Sequence, residues 1–257
     1  MILDDIVQVK KREVLRDKEI RKIVELKAKS RNVLPVPAFD LKEKGQVSII
    51  AEVKRASPVK GVFREKLDPA ALALQYKEGG ARAISVLTDE TFFKGSIEDL
   101  RAARDAAGLP ILRKDFVIDD YQLWEAKVLR ASAVLLIVRI LDQAQLRDYL
   151  ALAREELKLA ALVEVHTERE LERALDAQAD IVGINNRDLD TFKTTLETSA
   201  RLRSLVPPGP VVVSESGIST REDVVLLRQM NIDAALIGEE LVKSPDPVKK
   251  LKELRGA

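Results

Sequence analysis

The chain has 257 residues, 46% of them hydrophobic and 33% charged, a balance that supports a large buried core and excludes a disordered chain. Its 43 Lys and Arg against 42 Asp and Glu leave a net charge of +1; with no general field to attract nucleic acid or an anionic membrane, neither is expected as a partner, and any anion must be held locally. No Cys and a single His exclude disulfides and thiolate catalysis and argue against transition-metal chemistry, so no metal is expected.

The first residues, MILDDIVQVKKREVL, lack the continuous apolar stretch of a signal peptide, and no run reaches the ~20 apolar residues needed to span a bilayer, so a cytoplasmic location is expected. Abundant charge, scarce Asn and absent Cys resemble a thermostable protein. Residues 3–29 have a helical pattern and 32–45 form a Pro-containing connection. This N-terminal helical extension, residues 1–46, is too short for a second core and is expected to pack as a lid or plug.

Eight short apolar runs then follow, at 48–54, 83–88, 111–114, 133–138, 161–165, 181–185, 211–215 and 234–238. They do not alternate apolar with polar residues, as suits strands buried on both faces, and each is followed by turn residues and a segment of helical period. Asp68-Pro69 and Asp246-Pro247 place a capping carboxylate before a first-turn proline. Thr167-x-x-Glu170 and Thr220-x-x-Asp223 read as capping boxes. Eight βα units in a chain near the typical length of about 250 residues predict a single (β/α)8 TIM barrel domain spanning 1–257. A doubly wound open sheet would carry a Gly-rich turn after its first strand, and Lys54-Arg55-Ala56-Ser57-Pro58 is not one.

Such barrels carry their chemistry at the C-terminal ends of the strands. The first strand ends with Glu52 and Lys54, which the period of two sends to one side; Lys114, Glu164, Asn185 and Glu215 occupy corresponding ends. One reading is a mutually paired rim; the other is a proton-transfer constellation tuned by desolvation and by opposite charges. Ser216-Gly217 and Gly238-Glu239 follow the seventh and eighth strands, where barrels often hold phosphate, although either glycine is also explained by a chain turn alone. The Glu239 side chain is expected to turn away from such an anion. Phe93, Phe116, Leu135, Ile137 and Leu189 are core residues or the walls of a pocket for an aromatic ring. His166, directly before the capping Thr167, is expected off the barrel axis, on the side away from Glu164, in a structural role.

The motifs IAEVKRASP at 50–58, SVLTDETFFKGS at 85–96, RKDF at 113–116, LVEVHTE at 162–168, GINNRDL at 183–189, VSESGI at 213–218 and LIGEEL at 236–241 together resemble indole-3-glycerol phosphate synthase. The resemblance spans nearly the whole chain. It implies closure of the ring of 1-(2-carboxyphenylamino)-1-deoxyribulose 5-phosphate, with loss of carbon dioxide and water, in tryptophan biosynthesis and without a cofactor. Carried over by motif, Lys114 is the general acid on the substrate carbonyl, and Glu164 acts in dehydration with Asn185 orienting it or the leaving hydroxyl. Lys54 contacts the substrate carboxylate and is the candidate for a second acid, and Glu52 positions Lys54. Glu215 binds a substrate hydroxyl, and Arg187 has a structural or carboxylate-contacting role. Ser57 lies in a loop that closes over the substrate. Phosphate falls to Ser216, Gly217, Gly238 and Glu239, and the ring to Phe93 and Phe116 with nearby aliphatics. Val59 departs from the family's Ser after Ser-Pro, removing a hydroxyl contact from that loop. The expected assembly is a monomer, or else a homodimer. Two alternatives stand beside this reading: a related phosphosugar barrel such as phosphoribosylanthranilate isomerase, which predicts only a small acid/base pair, and a catalytically silent binding barrel, which would be free to lose Lys114 or Glu164.

Overall fold

The computed structural model describes residues 2–188 and 193–256. The eight apolar runs form eight strands, with limits within one residue of those read from the sequence: β1 (Ser48–Val53), β2 (Ala83–Leu87), β3 (Ile111–Lys114), β4 (Ala133–Ile137), β5 (Ala160–Val165), β6 (Ile181–Asn185), β7 (Val211–Glu215) and β8 (Ala234–Ile237). Each pairs in parallel with its neighbours in chain order, and β8 closes on β1 with Ile49 opposite Ala235, making a closed (β/α)8 barrel.

Both faces of every strand are apolar because the sheet separates two cores. Ile50, Leu112, Leu135, Leu162, Val213 and Leu236 fill the barrel interior, while Ile49, Val134, Val163, Val182 and Val212 pack outward against the helices. Successive side chains alternate faces, so the inward series continues upward from Ile50 to Glu52 and Lys54, from Leu112 to Lys114, from Leu162 to Glu164 and from Val213 to Glu215. The parity that fills the core therefore also delivers the charges to the mouth.

The helices are α1 (Ile2–Ile20), α2 (Ile23–Ser30), α3 (Pro69–Glu78), α4 (Ile97–Ala107), α5 (Asp120–Val128), α6 (Gln143–Ala151), α7 (Glu168–Asp176), α8 (Glu197–Arg203), α9 (Arg221–Gln229), α10 (Glu239–Lys243) and α11 (Pro247–Arg255). Asp68 and Asp246 cap α3 and α11, and the Thr167/Glu170 and Thr220/Asp223 boxes start α7 and α9. A further box, Asp142 with Gln145, starts α6. Such caps are each worth about 1 kcal/mol.

The helical pattern of 3–29 is two helices, not one. Lys22 takes an extended backbone (ψ 145°) and redirects the chain, so that α2 buries Leu26 and lays Lys27 over the Trp124 ring of α5 at 5.0 Å. α1 lies at the barrel mouth, where Ile2, Leu3 and Ile6 line the interior recess. After β1 the chain forms a small antiparallel hairpin, Ala56 opposite Val62 and Ser57 opposite Gly61.

Candidate active site

Two adjoining recesses open at the C-terminal end of the barrel and share Glu52, Lys54, Lys114, Arg187 and Ser216. They enclose about 860 and 790 Å³, counting space open to solvent, within the ~300–1,000 Å³ usual for small-molecule sites. The first is mostly apolar: Phe93, Phe116, Leu135 and Ile137 line it together with Ile2, Leu3 and Ile6 of α1, and Ser57, Glu164 and Asn185 reach it as well. The Phe93 and Phe116 rings stand 6.0 Å apart at 38°, leaving a tilted apolar wall. The second recess is polar and is walled by Glu215, Ser216, Gly217, Gly238 and Glu239 from the turns after β7 and β8. Leu189 lies outside the described residues.

Lys114 is the hub where the recesses meet. Its Nζ is 2.7 Å from Glu215 Oε2, 3.8 Å from Glu52 Oε2 and 3.9 Å from Glu164 Oε2. Lys54 Nζ sits 2.5 Å from Glu52 Oε1. Asn185 Nδ2 donates to Glu164 Oε1 at 3.2 Å, while Asn185 Oδ1 accepts from the Arg187 backbone N–H at 3.0 Å. The amide is thus fixed on both sides.

This arrangement separates the protonation states of the acids. Burial alone would lower the Lys114 pKa, but Glu215, Glu52 and Glu164 outweigh it and raise the ammonium above its ordinary range. Burial alone would likewise raise Glu52; Lys54 and Lys114 overcome it and pull the carboxyl below its ordinary value. Glu164 goes the other way: burial and the neighbouring Glu215 push it up to about 7, against the opposing pull of Lys114. The site therefore favours a protonated Lys114 and an ionised Glu52 beside a Glu164 raised to about 7, a divergence on which acid and base chemistry can draw.

Two glycines make room for this cluster. A Cβ on Gly238 would overlap Glu52 Oε1, and one on Gly183 would overlap Glu215 Oε1. Neither residue has the positive φ that otherwise explains glycine; both are needed for close approach. At Gly238 this is a function the turn-or-anion choice did not include. Ser216 and Gly217, by contrast, both take left-handed backbone (φ 70° and 78°). Asn186 holds this turn: its Nδ2 donates to Ser214 Oγ and to the Ser216 carbonyl, each at 2.9 Å, and its Oδ1 accepts from the Ser199 N–H and hydroxyl.

Glu239 borders the polar recess with its carboxylate held by Lys60 (2.7 Å) and Lys243 (2.7 Å). The awkward negative charge is thereby neutralised, and Lys60 ties the hairpin after β1 to α10. His166 does not border either recess; its Nδ1 lies 2.7 Å from the Asn185 carbonyl oxygen, a structural contact. Among the described residues no group of three or more His, Asp or Glu side chains is arranged to hold a metal ion.

The family model for indole-3-glycerol phosphate synthase matches residues 3–254. A protein of that name from Carboxydothermus hydrogenoformans is 47% identical, covering 99% of each chain; one from Roseiflexus sp. is 48% identical over 99% of this chain and 98% of its own. Among solved structures, a mutant tryptophan synthase α-subunit from Pyrococcus furiosus superposes with a TM-score of 0.62 at 17% identity, covering 84% of this chain and 100% of that one, a likeness of fold alone. The chain belongs to the indole-3-glycerol phosphate synthase family.

Proposed function

We propose that this chain converts 1-(2-carboxyphenylamino)-1-deoxyribulose 5-phosphate to indole-3-glycerol phosphate, carbon dioxide and water, in the following orientation. The carboxyphenyl ring occupies the apolar recess against Phe93, Phe116, Leu135 and Ile137, with Ser57 at its edge, and the phosphate takes the turns at Ser216-Gly217 and Gly238-Glu239. The carboxylate meets Lys54 and Arg187, and the ribulose carbonyl reaches Lys114 where the recesses join.

Lys114 donates its proton to the carbonyl oxygen as the aromatic carbon bearing the carboxylate attacks the carbonyl carbon. The new C–C bond breaks the ring's aromaticity, and loss of carbon dioxide restores it. The former carbonyl oxygen, now a hydroxyl, takes a second proton from Lys54, which the departing carbon dioxide has freed, and leaves as water. Glu164, oriented by Asn185, takes the proton from the five-membered ring that must be lost for the indole to form, and re-equilibration of the three groups with solvent draws in one proton per turnover. Glu52 holds Lys54 toward the substrate carboxylate, and Glu215 holds Lys114 and meets a substrate hydroxyl. Atoms balance without an oxidant, a reductant or a cofactor.

The observation that carries this reading is the Lys114 ammonium shared by three buried carboxylates, one of them near neutrality. An isomerase of the same general shape needs only one acid/base pair, and a binding barrel needs no buried ions, which are expensive to keep. Incubation with the substrate, followed by indole fluorescence and carbon dioxide release, tests it: equimolar release with product supports the lyase, whereas isomerisation without carbon dioxide, or no conversion, rejects it. We place the enzyme in the cytoplasm as a monomer, with a homodimer as the alternative; none of the described helices is long and apolar enough to cross a membrane.

A further inference from the structure

The buried face of α1, formed by Leu3, Ile6, Lys10 and Val14, carries one charged residue, unlike the exposed neighbours Lys11 and Arg12. Lys10 is only 4% exposed, and its Nζ lies 2.9 Å from Asp115 Oδ1, 3.1 Å from Asp89 Oδ2 and 2.6 Å from Glu13 Oε2. Asp89 is fully buried, and among the described residues Lys10 is the cation paired with it.

Each of the two aspartates supports the backbone beneath one wall of the apolar recess. Asp89 Oδ1 accepts from the N–H groups of Phe92 (2.7 Å) and Phe93 (3.1 Å). Asp115 Oδ1 accepts from the Phe116 N–H (2.8 Å), while its Oδ2 accepts from the Thr88 hydroxyl (2.6 Å). One ammonium therefore bridges both carboxylates that set Phe93 and Phe116, the rings 6.0 Å apart in the recess, and Arg113 is a second partner of Asp115 at 3.4 Å. The same helix face carries Leu3 and Ile6 into that recess, because residues three, four and seven apart align on a helix. None of these side-chain contacts includes the Lys114 ammonium, Glu164 or the turns of the polar recess.

We infer that Lys10 is a positioning residue that locks the seating of α1 to the geometry of the aromatic-ring pocket, and so governs affinity for the carboxyphenyl end of the substrate and not the proton transfers. Without it, buried Asp89 loses its counterion and Asp115 is left with Arg113 at 3.4 Å, and burying an unpaired charge is costly enough that Asp89 must move toward water or take up a proton. Either response disturbs the loop under Phe93, the turn under Phe116 and the seat of α1 together.

This inference rests on the proposed orientation of the substrate, and its test separates the two. Lys10→Met keeps the length of the chain and removes the charge. It is expected to raise KM at least tenfold with kcat within about threefold, to weaken 2-aminobenzoate, a probe for the ring pocket, in the same proportion, and to leave inhibition by inorganic phosphate unchanged. Adding Asp89→Asn, which removes one orphaned charge yet keeps an acceptor for Phe92 and Phe93, should recover much of the lost affinity. A purely structural lysine would lower Tm without splitting KM from kcat. Unchanged KM, a loss confined to kcat, or equal weakening of the phosphate probe overturns the inference. If Lys10→Met does not fold, Lys10→Gln, which removes the charge but keeps a donor for the carboxylates, carries the same expectation and the same refutation. Failure of the wild-type protein to convert the substrate strikes the proposed orientation; 2-aminobenzoate binding, read without turnover, still reports on Lys10.

Discussion

Replacing Lys114 by Met removes the ammonium on which Glu215, Glu52 and Glu164 converge at 2.7, 3.8 and 3.9 Å. Two losses follow. The general acid disappears, which costs about 10²–10⁴ in kcat, or roughly 3–5 kcal/mol of barrier. The electrostatic frame also changes: at about 4 Å and an effective dielectric near 20, each carboxylate forfeits an attraction of about 4 kcal/mol, so Glu164, already raised to about 7, titrates at still higher pH. Lys114→Arg divides these effects. A guanidinium restores the charge and much of the stability, but it is a weaker acid than the ammonium and its planar fork does not place a proton where Nζ stood, so turnover stays low. Steady-state indole fluorescence from acid to alkaline pH, with thermal unfolding of each variant as control, measures both. Turnover of Lys114→Met within a few-fold of wild type, or full recovery in Lys114→Arg, would refute the assignment of Lys114 as the acid.

The remaining predictions concern the neighbours of Lys114. With Glu164 as a base at about 7, kcat falls as pH drops through neutrality, and Glu164→Gln abolishes that limb; because the folded value lies above the ordinary carboxyl range near 4.3, ionising Glu164 costs stability as pH rises, so Glu164→Gln should raise Tm above pH 7. Gly238→Ala forces a Cβ onto Glu52 Oε1, displaces the partner of Lys54 and should lower kcat/KM at least tenfold. Asp115 is held down to about 2; burial opposes this, but Lys10 and Arg113 outweigh it. Its contribution to stability is therefore complete above its ordinary value near 3.9 and is lost as pH falls toward 2. Acid unfolding of Asp115→Asn should be shallower than that of wild type in this window.

The barrel was legible because its information is local. Apolar runs, capping pairs such as Asp68-Pro69 and the period of two each declare themselves within a few residues, and that period alone brings Glu52, Lys54, Lys114, Glu164 and Glu215 to the mouth. What stayed hidden depends on partners distant in the chain. Lys10 sits beside Lys11 and Arg12 in an amphipathic helix, and only the packing of α1 against Asp89 and Asp115 distinguishes it. Gly183 and Gly238 read as turn or strand residues until the barrel sets Glu215 and Glu52 against them. Asn186 follows Asn185 without a mark of its own, yet it points outward to Ser199 and Ser214 while Asn185 points inward to Glu164. The break at Lys22 carries neither Pro nor Gly; tertiary packing of Leu26 against α5 imposes it.

The central claim is an orientation: ring under α1, phosphate at the turns after β7 and β8, and the reacting carbonyl at Lys114. A crystal structure with the substrate whose ribulose carbonyl has been reduced to an alcohol tests it most directly, since that analogue cannot be attacked by the ring. The account predicts the new hydroxyl within hydrogen-bond distance of Lys114 Nζ, the ring beside Phe93 and Phe116, and the phosphate at Ser216-Gly217 and Gly238-Glu239. A reversed ligand, or a hydroxyl contacting another group with Lys114 still held only by its carboxylates, would contradict it.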